Sequence, residues 1–351
     1  MSQDIRQFIT DSIESAHDAW CQLGGVEQYY RFGPISLCVR HIGNTLIDTV
    51  SPAIRHALVN KINSTNGTIY TLDASALNMQ KPPAIWPFAT DTHQGHQRIY
   101  WDMESCLALN SDESRGIWQL FNLKTGSGLY WVTNEQTLPT WEAGSPLRIF
   151  LHWLAWQEGY QLIHAAGLEW KGCGILLTGR GGSGKSTTTA AAVNAGWNTI
   201  GDDFVLLTDE KKPTASCIYD TIKLTQQSLD QITVMASNAV YIPSAPGDKA
   251  RVHLSDKYRQ QLAREISINM LFVLHISNTP ETHILPLSKA SMMNALAPTT
   301  IFMLKMGMKE SFSRMTALVN QVPCYVIKMS SNSREVIEKL AIFVEKAEEQ
   351  I

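Results

Sequence analysis

The sequence predicts an α/β protein in two parts: a C-terminal α/β core built around a phosphate-binding loop, and an N-terminal α+β accessory domain. Two observations carry this. "LLTGRGGSGKSTTTAAA" (Leu176 to Ala192) sets a glycine-rich turn between an apolar run and an alanine-rich stretch, the order strand, loop, helix. The composition also shifts near Pro146, from short runs rich in Trp, Tyr, Asn and Thr to longer segments of α/β periodicity. The expected division is residues 1–145 and residues 146–351.

The N-terminal part opens with a predicted helix from Ile5 to Trp20. The strand-like run "YYRFGPISLCVRHIG" follows it. "SPAIRHALVNKI" then reads as a helix, with Ser51 as cap and Pro52 in the first turn. The proline-rich "KPPAIWPF" reads as an extended surface loop. Short alternating runs, "GTIYTLDA", "QRIYWDME", "GIWQLFNL" and "GLYWVTNE", are separated by turn residues and predict a meander. Their aromatics read as core and cross-strand pairs, with a ligand groove as the alternative.

The C-terminal part begins with a helix, "PLRIFLHWLAWQEG", whose Leu147, Phe150, Leu151 and Leu154 recur at helical spacing. "YQLIHAAGLEWKGCGILLTG" holds two strands separated only by "WKGCG", so they pair antiparallel. "ISINMLFVLHIS" and "VPCYVIKMS" read as buried strands, with "ETHILPLS" as a partner strand. "KASMMNALAPTTIFML" reads as a helix ending near Pro298, and the Met-rich "FMLKMGMKESFSRM" as core and loop, with a flexible binding surface as the alternative. "SREVIEKLAIFVEKAEEQ" reads as an amphipathic helix with Val336, Leu340, Ile342 and Val344 inward.

Across 351 residues the net charge is −3, which gives no basic footprint for nucleic acid. The apolar runs are too short to span a bilayer, and "MSQDIRQFITDSIES" is polar and acidic, unlike a secretory signal. Six scattered cysteines, none in C-x-x-C, read as reduced thiols of a cytoplasmic protein.

Gly179, Gly184, Lys185 and Ser186 fit G-x-x-x-x-G-K-[ST]. In such a loop (Gly179, Arg180, Gly181, Gly182, Ser183, Gly184) glycines bring backbone N–H groups against phosphate oxygens. Lys185 reaches the β- and γ-phosphates, Ser186 can ligate Mg²⁺, and the helix through Thr187 points its positive end at the anion. A Gly-Ser linker does not sit between a buried strand and an Ala-rich helix. Downstream, "NTIGDDFVLL" places Asp202 and Asp203 between apolar runs. Buried adjacent acids need a metal, a cation or a proton. Either each faces one side of a strand, or a strand end presents both, or a solvated turn holds them. Ahead of the loop, His164 lies in an apolar strand, where a satisfied core histidine is the alternative to a functional one.

The stretch Leu162 to Leu207, "LIHAAGLEWKGCGILLTGRGGSGKSTTTAAAVNAGWNTIGDDFVLL", resembles the HPr kinase/phosphorylase superfamily. It is most similar to the bacterial HPr-kinase-like serine kinases, including those that modify peptides. The resemblance implies a P-loop kinase core of the HPr kinase type over residues 146–351. It implies transfer of the γ-phosphoryl of ATP, with Mg²⁺, to a hydroxyl, most readily a serine or threonine of a protein or peptide. A small-molecule kinase and a non-catalytic nucleotide-binding regulator are the alternatives. It further implies that Lys185 and Ser186 bind phosphate and metal, that His164 lies near the phosphates, and that the aspartate pair supplies metal contact and base. The order of residues suggests Asp202 as the metal-side acid and Asp203 as the base. "PGDKARVHL" (Pro246 to Leu254) only loosely occupies the place of a later basic motif, leaving Arg251 and Lys249, and more weakly Lys223, as contacts for ATP or acceptor, against the alternative of solvated cations. The family's glycine-rich phosphorolysis stretch is not found, so reverse phosphorolysis is not expected.

Overall fold

The computed structural model describes residues 2–77, 97–209, 211–241, 248–277 and 279–348. The chain forms two compact units, Met1–Glu158 and Gly159–Ile351. The division falls after, not before, the helix Arg148–Gln157. That helix belongs to the N-terminal unit because its aromatic face packs there: Trp153 stacks on Phe121, and Phe150 meets Phe121 and Tyr130 edge-on.

The N-terminal unit is built on one eight-stranded sheet. Its strands are β1 (Gly25–Phe32), β2 (Ile35–Ile42), β3 (Leu58–Val59), β4 (Gly67–Asp73), β5 (Gln97–Asp102), β6 (Leu107–Asp112), β7 (Ile117–Asn122) and β8 (Ser127–Val132), in the order β3-β1-β2-β4-β8-β7-β6-β5. β5 to β8 form a meander that includes β6, which the expected runs did not contain; β4, expected within the meander as "GTIYTLDA", instead joins it through a parallel pairing with β8. Side-chain alternation gives the sheet two faces. Leu120 and Trp131 meet Ile5, Ile9 and Ile13 of the helix Ser2–Leu23, while Phe121 and Tyr130 meet the helix Arg148–Gln157. Two expectations are corrected. "YYRFGPISLCVRHIG" is a hairpin, β1 and β2 turning at Gly33 and Pro34, and "SPAIRHALVNKI" gives only a 3₁₀ turn, Pro52–Ala57, before β3. "KPPAIWPF" lies outside the described residues.

The C-terminal unit carries three sheets. Its strands are β9 (Gln161–Ile163), β10 (Ala166–Trp170), β11 (Cys173–Thr178), β12 (Asn198–Gly201), β13 (Val205–Asp209), β14 (Thr214–Cys217), β15 (Thr221–Leu224), β16 (Ala239–Tyr241), β17 (Ala250–His253), β18 (Glu265–Ser267), β19 (Met270–Ile276), β20 (His283–Pro286) and β21 (Cys324–Met329). The central sheet runs β12-β10-β11-β19-β21-β20, a second β18-β14-β13-β9, and a third β15-β17-β16. β10 and β11 form the expected antiparallel hairpin, and β11 runs parallel to β19 on its other side. The central sheet is covered on both faces, as β-strand alternation requires of continuous apolar runs. Ile175 and Leu177 face the helices Lys185–Asn194 and Ser333–Glu348, and Leu176 faces the helices Lys289–Ile301 and Met308–Gln321.

Three details differ from expectation here. The helix Lys289–Ile301 runs through Pro298, which sits in its last turn and takes one N–H donor out of the helical ladder there. The Met-rich stretch contains a full helix that buries Met315 and exposes Phe312. Ile342 is exposed while Val336, Leu340 and Val344 are buried. All six cysteines are free, and no helix among the described residues is long and apolar enough to cross a membrane.

Candidate functional site

Two strands change sheets side by side. β9 belongs to the second sheet and β10 to the central one, and the chain crosses between them at His164 and Ala165. β12 belongs to the central sheet and β13 to the second, crossing at Asp202, Asp203 and Phe204. The crossings lie opposite each other, because Gly167 pairs with Gly201 on one side and Ile163 with Val205 on the other. Gly201 allows this: its φ is +110°, and a Cβ there would stand 2.8 Å from the Tyr219 carbonyl oxygen. The expectation of one unbroken strand through His164 is thereby corrected. β12 runs parallel to β11 but is separated from it by β10.

The pair is a buried crossing rather than a solvated turn. Asp202 is only 2% exposed, and neither of its oxygens has a hydrogen-bond partner among the described residues. Burial, and then the neighbouring charge of Asp203, push its pKa up to about 6; Lys223, Ser186 and Lys249 pull the other way. Ser186 is thus close enough to act on Asp202 without meeting hydrogen-bond geometry, and the geometry decides that both oxygens are bare. Asp203 behaves oppositely. Burial raises its pKa, but Lys223 Nζ at 2.6 Å from Oδ2 and His164 Nε2 at 3.3 Å from Oδ1 outweigh that and hold it well below the usual carboxylate range. His164 is fixed by a hydrogen bond from its backbone N–H to Thr300 Oγ1 (3.1 Å) and by its ring against Phe204; its Nδ1 is buried without a partner among the described residues.

β11 leads directly into the glycine loop and the helix Lys185–Asn194 leads out of it. Gly184 caps that helix at φ +96°. A Cβ at Gly181 or Gly182 would meet nothing within 4 Å, so the loop's crest is open. Lys185 is buried and donates to the loop's own carbonyls, Gly179 O at 2.9 Å and Arg180 O at 3.4 Å. Its burial lowers its pKa, and the charges of Asp203 and Asp202 oppose that, so lysine and aspartates share one electrostatic site. Ser183 Oγ is buried with no partner among the described residues, and so is Thr178 Oγ1 at the end of β11.

The remaining sequence candidates separate here. Thr187 Oγ1 and Ser228 Oγ share a hydrogen bond at 2.7 Å, and Arg180 is exposed. Lys249 is exposed, but its charge reaches Lys185 and Asp202. Arg251 pairs across from Lys223, on the same face of the third sheet, and lies over the Tyr241 ring at 4.9 Å. Lys223, the weakest candidate in sequence, makes the shortest ion pair of the cluster. Thr178 and Thr300 were missed. A polar residue closing the apolar strand "GILLT" was a signal for Thr178; Thr300 lies 136 residues from its partner and had none.

The residues present suit Mg²⁺ and nucleotide. A bare buried carboxylate beside a serine hydroxyl is the small oxygen set that Mg²⁺ takes from protein, with phosphate and water supplying the rest. Among the described residues no group of three or more His, Cys, Asp or Glu forms a self-sufficient metal cage.

No protein-family model matches the chain, and no curated protein matches it. Among solved structures, the HPr(Ser) kinase/phosphatase from Coxiella burnetii overlaps 54% of this chain and 92% of its own, at 13% identity and a TM-score of 0.32. Overlap at that level assigns neither a family nor an activity.

Proposed function

We propose that the C-terminal unit binds ATP at the Gly179–Ser186 loop and transfers its terminal phosphoryl group to a hydroxyl. The observation that supports this best is the convergence at one sheet crossing of buried polar atoms without partners among the described residues: both oxygens of Asp202 and Nδ1 of His164, with Asp202 in the same electrostatic site as the loop lysine. A buried polar atom without a protein partner calls for water, an ion or a ligand to complete it. In this reading the open crest offers backbone N–H groups to phosphate, and the helix behind it adds its positive end. Lys185 exchanges its loop carbonyls for phosphate oxygens. Mg²⁺, held by Asp202 and Ser186, would neutralise charge on the transferring group. The acceptor oxygen bonds to phosphorus, the bond to the leaving diphosphate breaks, and the acceptor proton passes to Asp203.

The acceptor class, a serine or threonine of a protein or peptide, follows the resemblance of Leu162 to Leu207, with the N-terminal unit as the accessory part that selects it. The test is calorimetric titration of the full chain with Mg-ATP, followed by transfer of labelled phosphate to proteins of a cell extract. Lys185→Ala should weaken binding and slow transfer by about 10²–10³, the usual loss for one preorganised charge on the reacting group. Transfer by that variant at the wild-type rate would refute the assignment. Binding without any transfer would favour a nucleotide-sensing regulator.

A further inference from the structure

Lys223 is placed as no ordinary surface cation is. It stands on β15, an edge strand whose Ile222 and Leu224 are buried in the same core as Ala190, Ala192 and Val193 of the loop helix. Alternation turns Lys223 to the opposite face, where its ammonium meets Asp203; both side chains are only 13% exposed. His164 meets Asp203 Oδ1 and Lys223 meets Oδ2, so ring and ammonium lie on different oxygens of one carboxylate. The charge of Lys223 also reaches Asp202 and Lys185. Three ammoniums, on Lys185, Lys223 and Lys249, thus act on two carboxylates, an excess of positive charge that suits an added anion.

The arrangement sets a conflict for the base assigned above. An acceptor hydroxyl needs an oxygen of Asp203, and the ammonium covers Oδ2. A lysine is a compact charge on a flexible four-carbon stem and changes partners easily. Resting on the phosphoryl-transfer reading, we propose that Lys223 moves from Asp203 onto the terminal phosphoryl group when the triphosphate binds, leaving Oδ2 of Asp203 for the acceptor hydroxyl. Lys223 keeps its proton throughout; the acceptor proton goes to Asp203. After transfer the diphosphate has no terminal group to hold the ammonium, and it returns. The site is therefore primed by triphosphate and closed by diphosphate.

The experiment compares Mg²⁺-dependent binding of a non-hydrolysable ATP analogue with that of ADP, by calorimetry on the full chain. Lys223→Met should weaken the triphosphate by about tenfold, as expected for one lost charge-assisted bond, and leave ADP within about twofold of wild type. Lys223→Arg should retain the preference for triphosphate. If Lys223→Met fails to fold because the buried Asp203 carboxylate loses its ammonium, the double variant Lys223→Met with Asp203→Asn removes that buried charge and should show the same selective loss. Equal loss for both nucleotides, or none for either, would overturn the role of Lys223 alone. Failure of wild type to bind either nucleotide would overturn the phosphoryl-transfer reading, and this inference with it.

Discussion

Adjacent in the chain, Asp202 and Asp203 have opposite acidities, and the difference lies in what touches them. Asp203 has an ammonium and an imidazole on its two oxygens; Asp202 has neither. An ordinary aspartate ionises near 3.8, so between about pH 4 and 6 the unfolded chain gives up the Asp202 proton first, and this residue erodes stability as pH rises. The loss is complete above about pH 6 and is on the order of 1–3 kcal/mol. Asp202→Asn should therefore raise the melting temperature at pH 7 without nucleotide or metal, and flatten the stability profile between pH 4 and 6. The same variant should need more Mg²⁺ for transfer. A lower melting temperature at pH 7 would show that Asp202 is held by bonds rather than left bare. Asp203 has the reverse sign: its contribution is present above about pH 4 and is lost as pH falls through its depressed value. Asp203→Asn should slow transfer by about 10²–10⁴, the range for a positioned base, with little change in Mg²⁺ dependence. Single-turnover transfer across a Mg²⁺ series separates the two residues.

Among the elements, the loop was legible and the crossings were not. The glycines, Lys185 and the flanking strand and helix are written contiguously, within "GILLTGRGGSGKSTTTAAA". "YQLIHAAGLEW" is mostly apolar, with Gln161, His164 and Glu169 as its polar residues, and no change of pattern marks where the chain leaves one sheet for another at His164. What bends it is the close approach of Gly167 and Gly201, residues 34 positions apart whose pairing no local pattern announces. Gly201→Ala tests this directly. A side chain at φ +110°, close against the Tyr219 carbonyl, should destabilise the C-terminal unit by about 1–3 kcal/mol and disturb Asp202 beside it. Urea unfolding should show a lower midpoint, and an unchanged midpoint would mean the crossing is not constrained there. Lys223 was underrated for a related reason: "YDTIKL" shows one cation in a short mixed run that also holds Asp220, and only the third sheet's placement shows what it meets.

At the scale of the whole molecule, the composition change near Pro146 misplaced the division by one helix. Sequence periodicity shows that Arg148–Gln157 has an apolar face; it does not show which sheet covers it. A fragment ending at Glu158 should keep Phe150 and Trp153 on their sheet and fold cooperatively. One ending at residue 145 should expose Phe121 and Tyr130 and aggregate, and near-ultraviolet circular dichroism with sedimentation distinguishes the two. Equal behaviour of the fragments would show that the helix is dispensable to its unit. Within the C-terminal unit, the paired crossings have a kinematic consequence. His164 and Asp203 sit on a common axis where both strands of one ribbon turn. If one sheet rocks against the other, the two residues swing as a single arm, and the 3.3 Å between them is conserved. The coordinate free to vary is the arm's distance from the loop, so Asp203 can approach or leave Lys185 without parting from His164.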